Sequence, residues 1–212
     1  MKITIIGASA GVGLETVKRA LARNHIVTTL SRSEINLPGN KNLKILKGSA
    51  TNKADLKMAI ENADAVIVAL GTGTSFKATT LFSESAKLLA ELQMETNNKV
   101  PFIVLTGFGA GESRQHLSSL IQKIFFKFFL DKEVYKDKNK MEEIISSSQM
   151  NWEIVRAGTL ENKPLTEKYR VETTLYKGIK IGEINRADVA DFMVKQAENP
   201  TELKKYVSLS NK

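Results

Sequence analysis

The residues of this chain that could do chemistry are few, and they gather where strands end. There is no cysteine, hence no thiol nucleophile, no disulfide and no cysteine metal site. The two histidines, His25 and His116, cannot build a zinc site alone. What recurs is glycine beside small or hydroxyl side chains. Gly7-Ala8-Ser9-Ala10-Gly11-Val12-Gly13 follows the apolar run Ile3 to Ile6. Gly71-Thr72-Gly73-Thr74 follows Ala63 to Leu70, and Thr106-Gly107 follows Pro101 to Leu105. Ala157-Gly158-Thr159-Leu160 follows Met150 to Arg156. Bare backbone N–H groups at such turns suit a phosphate, and the edge where parallel strands end is where α/β sheets bind ligands.

The first of these loops is the most specific. A strand, a glycine turn and an immediate helical pattern (Leu14, Val17, Leu21) are how a dinucleotide-binding fold opens. Gly7 lets the chain turn off the strand, Gly11 lets a phosphate reach backbone, and Gly13 lets the helix lie close to the sheet. The pyrophosphate then sits at the helix N-terminus, where free N–H groups and the dipole favour negative charge. The second strand ends at Ser31-Arg32-Ser33. An acidic residue there would bind a ribose 2′-hydroxyl, whereas Arg32 matches a 2′-phosphate. The expected cofactor is therefore NADP(H).

These loops need strands and helices to hold them. Helices are expected over Gly11 to Arg23, from Thr51 or Asn52 to Ile60, over Ala78 to Leu92, over Asp131 to Ser148, and from Arg186 onward. Strands are expected at Ile26 to Leu30, Leu43 to Leu46, Ala63 to Leu70, Pro101 to Leu105, Met150 to Arg156 and Tyr206 to Leu209, with short ones at Tyr169 to Val171 and Lys180 to Ile184. The near-continuous apolar run of the Ala63 strand implies burial on both faces, as in a parallel sheet. The fold class expected is α/β, a Rossmann-like doubly wound parallel sheet with helices on both faces and short C-terminal elements on the substrate side. Residues 1–212 are expected to form one NAD(P)-binding domain. From His116 to Leu130, Leu117, Leu120, Ile121, Ile124, Phe125, Phe128 and Phe129 keep helical spacing. That stripe suits a helix packed on the domain, or a substrate lid or dimer face.

Composition bounds the rest. At 212 residues and 42% apolar content the chain can bury a sizeable core. The net charge is +8, but the lysines are scattered rather than drawn into one stripe, which argues against nucleic acid. No apolar run approaches the roughly 20 residues needed to span a membrane. A soluble, cytoplasmic monomer or weak homodimer is expected.

The chain resembles the atypical short-chain dehydrogenases/reductases of the NAD(P)-binding, NmrA-like group, with a likeness to biliverdin-IXβ reductase and NADPH-flavin reductases. The matching stretches are Ile6 to Ser9, Asp64 to Thr72, Thr79-Thr80, Ser146 to Leu160, Pro164 to Thr166 and Ile184 to Ala190. The resemblance implies cofactor contacts from Gly7, Ala8, Ser9, Ala10, Gly11 and Val12 around the pyrophosphate. It places Arg32 at the 2′-phosphate and Ser49 and Ala50 on the adenine side. Leu70, Gly71 and Thr72 fall beside the ribose and diphosphate. Thr106 and Gly107 fall near the nicotinamide, with Ala157, Gly158 and Leu160. It departs from the pattern in Ala10, in Ser49 where relatives commonly carry Asp, in Gly107 where the flavin reductase has serine, and in Thr159 where it has histidine.

The Tyr-x-x-x-Lys pair of classical members fails, because Tyr135 is followed four residues on by Asn139, with Lys138 and Lys140 off the spacing. The usual proton relay to a carbonyl is then missing. Hydride transfer to a flavin, quinone or similar planar acceptor needs less, since such an acceptor can take its proton from solvent. Thr106, Thr159 and Tyr135 are the candidate substrate-side residues. The expected function is an NADPH-dependent reductase of a small-molecule electron acceptor. The alternative is an NADP-binding, redox-sensing regulator without turnover.

Overall fold

The computed structural model describes residues 1–73, 78–116 and 133–212. The expected Phe-rich helix over Leu117 to Leu130 lies outside them. Ten strands are described: β1 (Lys2–Ile6), β2 (Ile26–Ser31), β3 (Leu43–Lys47), β4 (Ala65–Val68), β5 (Pro101–Gly107), β6 (Asn151–Ala157), β7 (Thr159–Glu161), β8 (Tyr169–Glu172), β9 (Glu183–Asn185) and β10 (Tyr206–Asn211). The helices are α1 (Gly11–Ala22), α2 (Lys53–Ile60), α3 (Leu81–Thr96), α4 (Glu133–Ser147) and α5 (Arg186–Glu198), with a 3₁₀ turn at Gly111–His116.

The main sheet runs β3-β2-β1-β4-β5-β6-β10-β8. Its pairs are parallel except the edge pair β10–β8, which is antiparallel. A separate parallel pair, β7–β9, stands beside the main sheet. The chain reverses direction of travel across the sheet between β1 and β4. That reversal is the switch point where a doubly wound sheet opens a crevice.

Alternation along the strands divides the core. Ile3, Ile5, Ile67, Ile103, Val155 and Val207 face α1 and α5. Val66, Val68, Phe102, Val104 and Ile154 face α2, α3 and α4. Helices therefore cover both faces, as expected for this class. The four residues of β4 are all buried. Its extent is shorter than the apolar run; Ala69, whose N–H still bonds Ile6 O at 2.8 Å, and Leu70 line the crevice. Asn24, just past α1, adopts a left-handed φ of 62°, the C-terminal stop its type suits.

Salt bridges fix α1 against α5. Asp191, fully buried, meets Arg19 at 2.6 Å and Lys195 at 2.8 Å and accepts from the Tyr169 hydroxyl at 2.8 Å. Burial pushes its carboxyl up, but the bonds from Lys195, Tyr169 and Arg19 more than offset this and hold it below its usual range. At the other end of the same seam, Glu198 accepts from Arg23 at 2.6 Å and meets His25 Nε2 at 2.6 Å. His25 is buried and serves this seam.

Candidate functional site: a cavity along the carboxyl edge of the sheet

The loop after β1 is built as the glycine spacing implies. Gly7 has φ +87°, and a Cβ there would meet Ala69 O at 2.6 Å. A Cβ on Gly13 would fall 2.0 Å from Gly7 O, so only glycine lets α1 start this close to the strand. The N-terminus of α1 has no side-chain cap and no acidic residue in its first turn. The neighbouring helices differ. Asn52 caps α2 by accepting from Asp55 N at 3.1 Å. Asp137 of α4 accepts from Phe82 N at 2.8 Å and so fills the N-terminus of α3. Asp188 lies in the first turn of α5. With neither a capping side chain nor an acidic residue in its first turn, the N-terminus of α1 is open to an anion.

A cavity of about 520 Å³ opens on this turn. At one end lie Leu30, Ser31, Arg32 and Ser33 from the end of β2, with Gly48 and Ala50. The middle is formed by Gly7, Ser9, Ala10, Gly11 and Val12, and by Ala69, Leu70, Gly71, Thr72 and Gly73 after β4. At the far end lie Leu105 and Thr106 of β5, Leu81 and Phe82 of α3, Lys138 of α4 and Leu160, while Arg186 stands beside Gly11. The described lining includes three cations and no carboxylate. Its length along the sheet edge, its bare helix N-terminus and its positive charge fit a dinucleotide.

Most of the residues singled out in the sequence come together in this cavity: Gly7, Ser9, Ala10, Gly11, Val12, Arg32, Ala50, Leu70, Gly71, Thr72, Thr106 and Leu160. Others stand behind it. Ala8 is buried in the core. Ser49 turns to Thr51, with the two hydroxyls 2.9 Å apart, and its N–H donates to Asp55 at 2.8 Å. Ala157 is core, and Gly158 lets the chain pass Gly182, whose oxygen would lie 1.9 Å from a Cβ there. Thr159 is exposed in β7 and does not line the cavity. Tyr135 packs with Phe108, Ile179 and Ile181, also off the lining. Burial raises its phenol above the usual value. A Cβ on Gly107 would lie 3.2 Å from the Tyr135 hydroxyl, so this glycine makes room for that ring.

Thr106 lines the cavity with its hydroxyl already engaged. It donates to Glu142 Oε1 at 2.7 Å. Glu142 is itself buried and accepts from Arg156 Nη2 at 2.8 Å. Arg156 is the largest fully enclosed side chain among the described residues and lies over the Tyr206 ring at 4.1 Å. A buried ion pair therefore sits directly behind the β5 end of the cavity.

Two cations in the lining were not singled out from sequence. Arg186, at the start of α5, donates from Nη1 to Leu160 O at 3.2 Å and to Asn162 Oδ1 at 2.8 Å. Its Nε lies 3.8 Å from where a Cβ of Gly11 would stand. Lys138 lies 5.3 Å from the Phe82 ring centre and 5.1 Å from that of Tyr135. Burial pulls its ammonium below the ordinary lysine value, and the Glu142 charge pulls it part of the way back.

The sequence pattern of the NAD(P)H-binding family matches residues 7–200, and the chain belongs to that family. Among solved structures it is similar to a Streptococcus pneumoniae TIGR4 protein provisionally described as an NADH-flavin reductase, at 26% identity and TM-score 0.77, with all of both chains covered. It is similar in fold to ChuY, an anaerobilin reductase from Escherichia coli O157:H7, at 21% identity and TM-score 0.77, covering 100% of this chain and 97% of that one. A short-chain dehydrogenase/reductase from Veillonella parvula DSM 2008 in complex with NADP aligns at 15% identity and TM-score 0.81, covering 99% and 94%. The resemblance to atypical short-chain dehydrogenases/reductases and the Rossmann-like class are borne out. No helix among the described residues is long and apolar enough to cross a membrane.

Proposed function

We propose that the chain is an NADPH-dependent reductase that delivers hydride to a flavin, quinone or similar planar acceptor. The observation that carries this reading is the cavity itself. It runs from Arg32 past the uncapped N-terminus of α1 to an end walled by Leu105, Thr106, Phe82 and Leu160. Arg32, exposed at the end of β2 with no acidic residue in the lining beside it, would take the 2′-phosphate. The N–H groups after Ala10 would take the pyrophosphate, with Arg186 close by. The nicotinamide ring, when bound at the β5 end, supplies the hydride.

The protein's part is positioning. Phe82 and Leu105 exclude water, and the Glu142–Arg156 pair holds Thr106 in one orientation. No tyrosine reaches the lining among the described residues, which suits an acceptor that needs no phenol relay. Small-molecule acceptors of the flavin or bilin kind are consistent with the names of the similar structures.

The test is NADPH oxidation with FMN, dichlorophenolindophenol and a quinone as acceptors. Turnover with at least one is expected. Tight NADPH binding without turnover on any of them would sink the reductase reading and leave a redox-sensing regulator.

A further inference from the structure

Of the three cations in the described lining, two have evident anionic partners on the proposed reading. Arg32 lies at the adenine end and Arg186 beside Gly11. Lys138 does not. It sits at the opposite end, beyond the carboxyl terminus of β5. Its Nζ has no hydrogen bond or ion pair among the described residues, only the Phe82 and Tyr135 rings.

The position of Lys138 is set firmly. One residue before it, Asp137 accepts from the Phe82 N–H at 2.8 Å and from the Ser83 hydroxyl, which ties this turn of α4 to the start of α3. One turn after it, Glu142 is fixed by Thr106 and Arg156. A half-buried ammonium held between two anchored turns costs desolvation and gains little inside the protein. Such a charge suits a ligand that brings the opposite one.

We infer that Lys138 is the acceptor-side charge of this site, and that it binds the reduced, anionic form of a planar flavin ring more tightly than the oxidised, neutral form. Two electrons and one proton added to a neutral isoalloxazine leave one net negative charge on the ring. An ammonium near that ring is worth more to the anion than to the neutral form, and worth most where water is excluded. The inference rests on the proposed flavin-type acceptor. It names the residue that favours reduction once the ring is seated.

The experiment measures binding rather than turnover. Dissociation constants for riboflavin and for FMN would be measured by ultrafiltration at about pH 7.5, each oxidised in air and dithionite-reduced under anaerobic conditions. Wild type, Lys138→Met and Lys138→Arg would be compared, with NADPH affinity read separately by its fluorescence. Wild type should hold reduced riboflavin about tenfold more tightly than oxidised, from one charge pair in a partly dry site. Lys138→Met should bring that ratio near one, Lys138→Arg should keep most of it, and NADPH affinity should stay within about twofold. An unchanged ratio in Lys138→Met would overturn the assignment. So would a loss of NADPH affinity alone, which would make Lys138 a cofactor residue. Weaker FMN in both redox forms with riboflavin unaffected would place Lys138 on the phosphate instead and overturn the ring assignment. If wild type binds neither flavin in either form while still binding NADPH, the flavin reading fails and this inference with it.

Discussion

The Thr106 hydroxyl donates to Glu142 Oε1 at 2.7 Å, and the same carboxylate is the partner of Arg156. This joins the floor of the cavity to a buried ion pair. It also removes the simplest catalytic role for Thr106, because its proton already points to a carboxylate. The threonine is better understood as a wall held in place from behind.

That arrangement predicts a large stability cost for Glu142→Ala. The substitution takes the buried partner from the Arg156 guanidinium, which is 2% exposed, and leaves it only the exposed Glu112 at 3.5 Å. Breaking a buried pair from one side typically costs about 3–5 kcal/mol. Urea denaturation should show a loss in that range, and Glu142→Gln, which keeps an acceptor for Thr106, should lose less. Thr106→Val should cost about 1–2 kcal/mol, since Arg156 still bonds Glu142.

The glycine loop separates binding from folding. Gly13→Ala places a methyl 2.0 Å from Gly7 O, so α1 must move off the sheet. A melting experiment should show severe destabilisation. Gly11→Ala meets nothing closer than 3.8 Å, at Arg186, but has φ +56°. Its backbone cost is about 1–2 kcal/mol, so the variant should fold. NADPH titration should then show weaker binding, because the methyl stands where the phosphate would approach.

Much of this site was legible because its signals are local. A strand followed by Gly7, Gly11 and Gly13, and Arg32 at the end of the next strand, are read from neighbours in sequence. The same holds for Leu70 to Thr72 and Thr106. Lys138 and Arg186 were not legible. Lys138 falls off the Tyr-x-x-x-Lys spacing, and its place in the lining depends on Asp137 meeting α3 and Glu142 meeting β5. Those are contacts between residues 36 to 55 positions apart. Thr159 and Gly158 misled for a related reason. The β7–β9 pairing takes this strand end away from the cavity, and nothing in so short a segment announces it.

Arg32 sets a cofactor prediction. A guanidinium pairing with a 2′-phosphate makes charge-assisted bonds worth about 1.5–3 kcal/mol. Arg32→Ala should therefore weaken NADPH by about 10- to 100-fold while NADH changes little. An unchanged NADPH/NADH preference would place the 2′-phosphate elsewhere or remove it from the picture.

Gly107 and Tyr135 make a steric prediction. A serine side chain at Gly107 starts with a Cβ 3.2 Å from the Tyr135 hydroxyl, which is tighter than ordinary contact. Gly107→Ser alone should lower the melting temperature. Gly107→Ser combined with Tyr135→Phe, which removes the crowded oxygen, should recover part of the loss. Because the two sites touch, the effects should not add.

Glu153 makes stability fall with rising pH through the neutral range. It lies in β6, fully buried, and neither carboxylate oxygen has a hydrogen-bond partner among the described residues. Burial, with the Glu202 charge, raises its pKa from 4.5 to about 8, while Lys205 acts the other way. In the unfolded chain the carboxyl ionises near its ordinary value. The folded state therefore holds a proton that the unfolded state has released, and stability falls as pH rises between the two values. The stabilising contribution is full below about 4.5 and gone above about 8. Within that window the fall approaches about 1.4 kcal/mol per pH unit. Asp191, held below its usual range, acts with the opposite sign and loses its contribution as pH drops toward the acid range. Urea midpoints taken from about pH 5 to 9 should fall as pH rises from about 5 to 8, reach a plateau above about 8, and lose that slope in Glu153→Gln. The variant should also be the more stable protein at pH 8.5, because it carries no charge to bury. A wild-type profile flat between pH 6 and 8 would mean that this carboxyl finds water or a partner in solution.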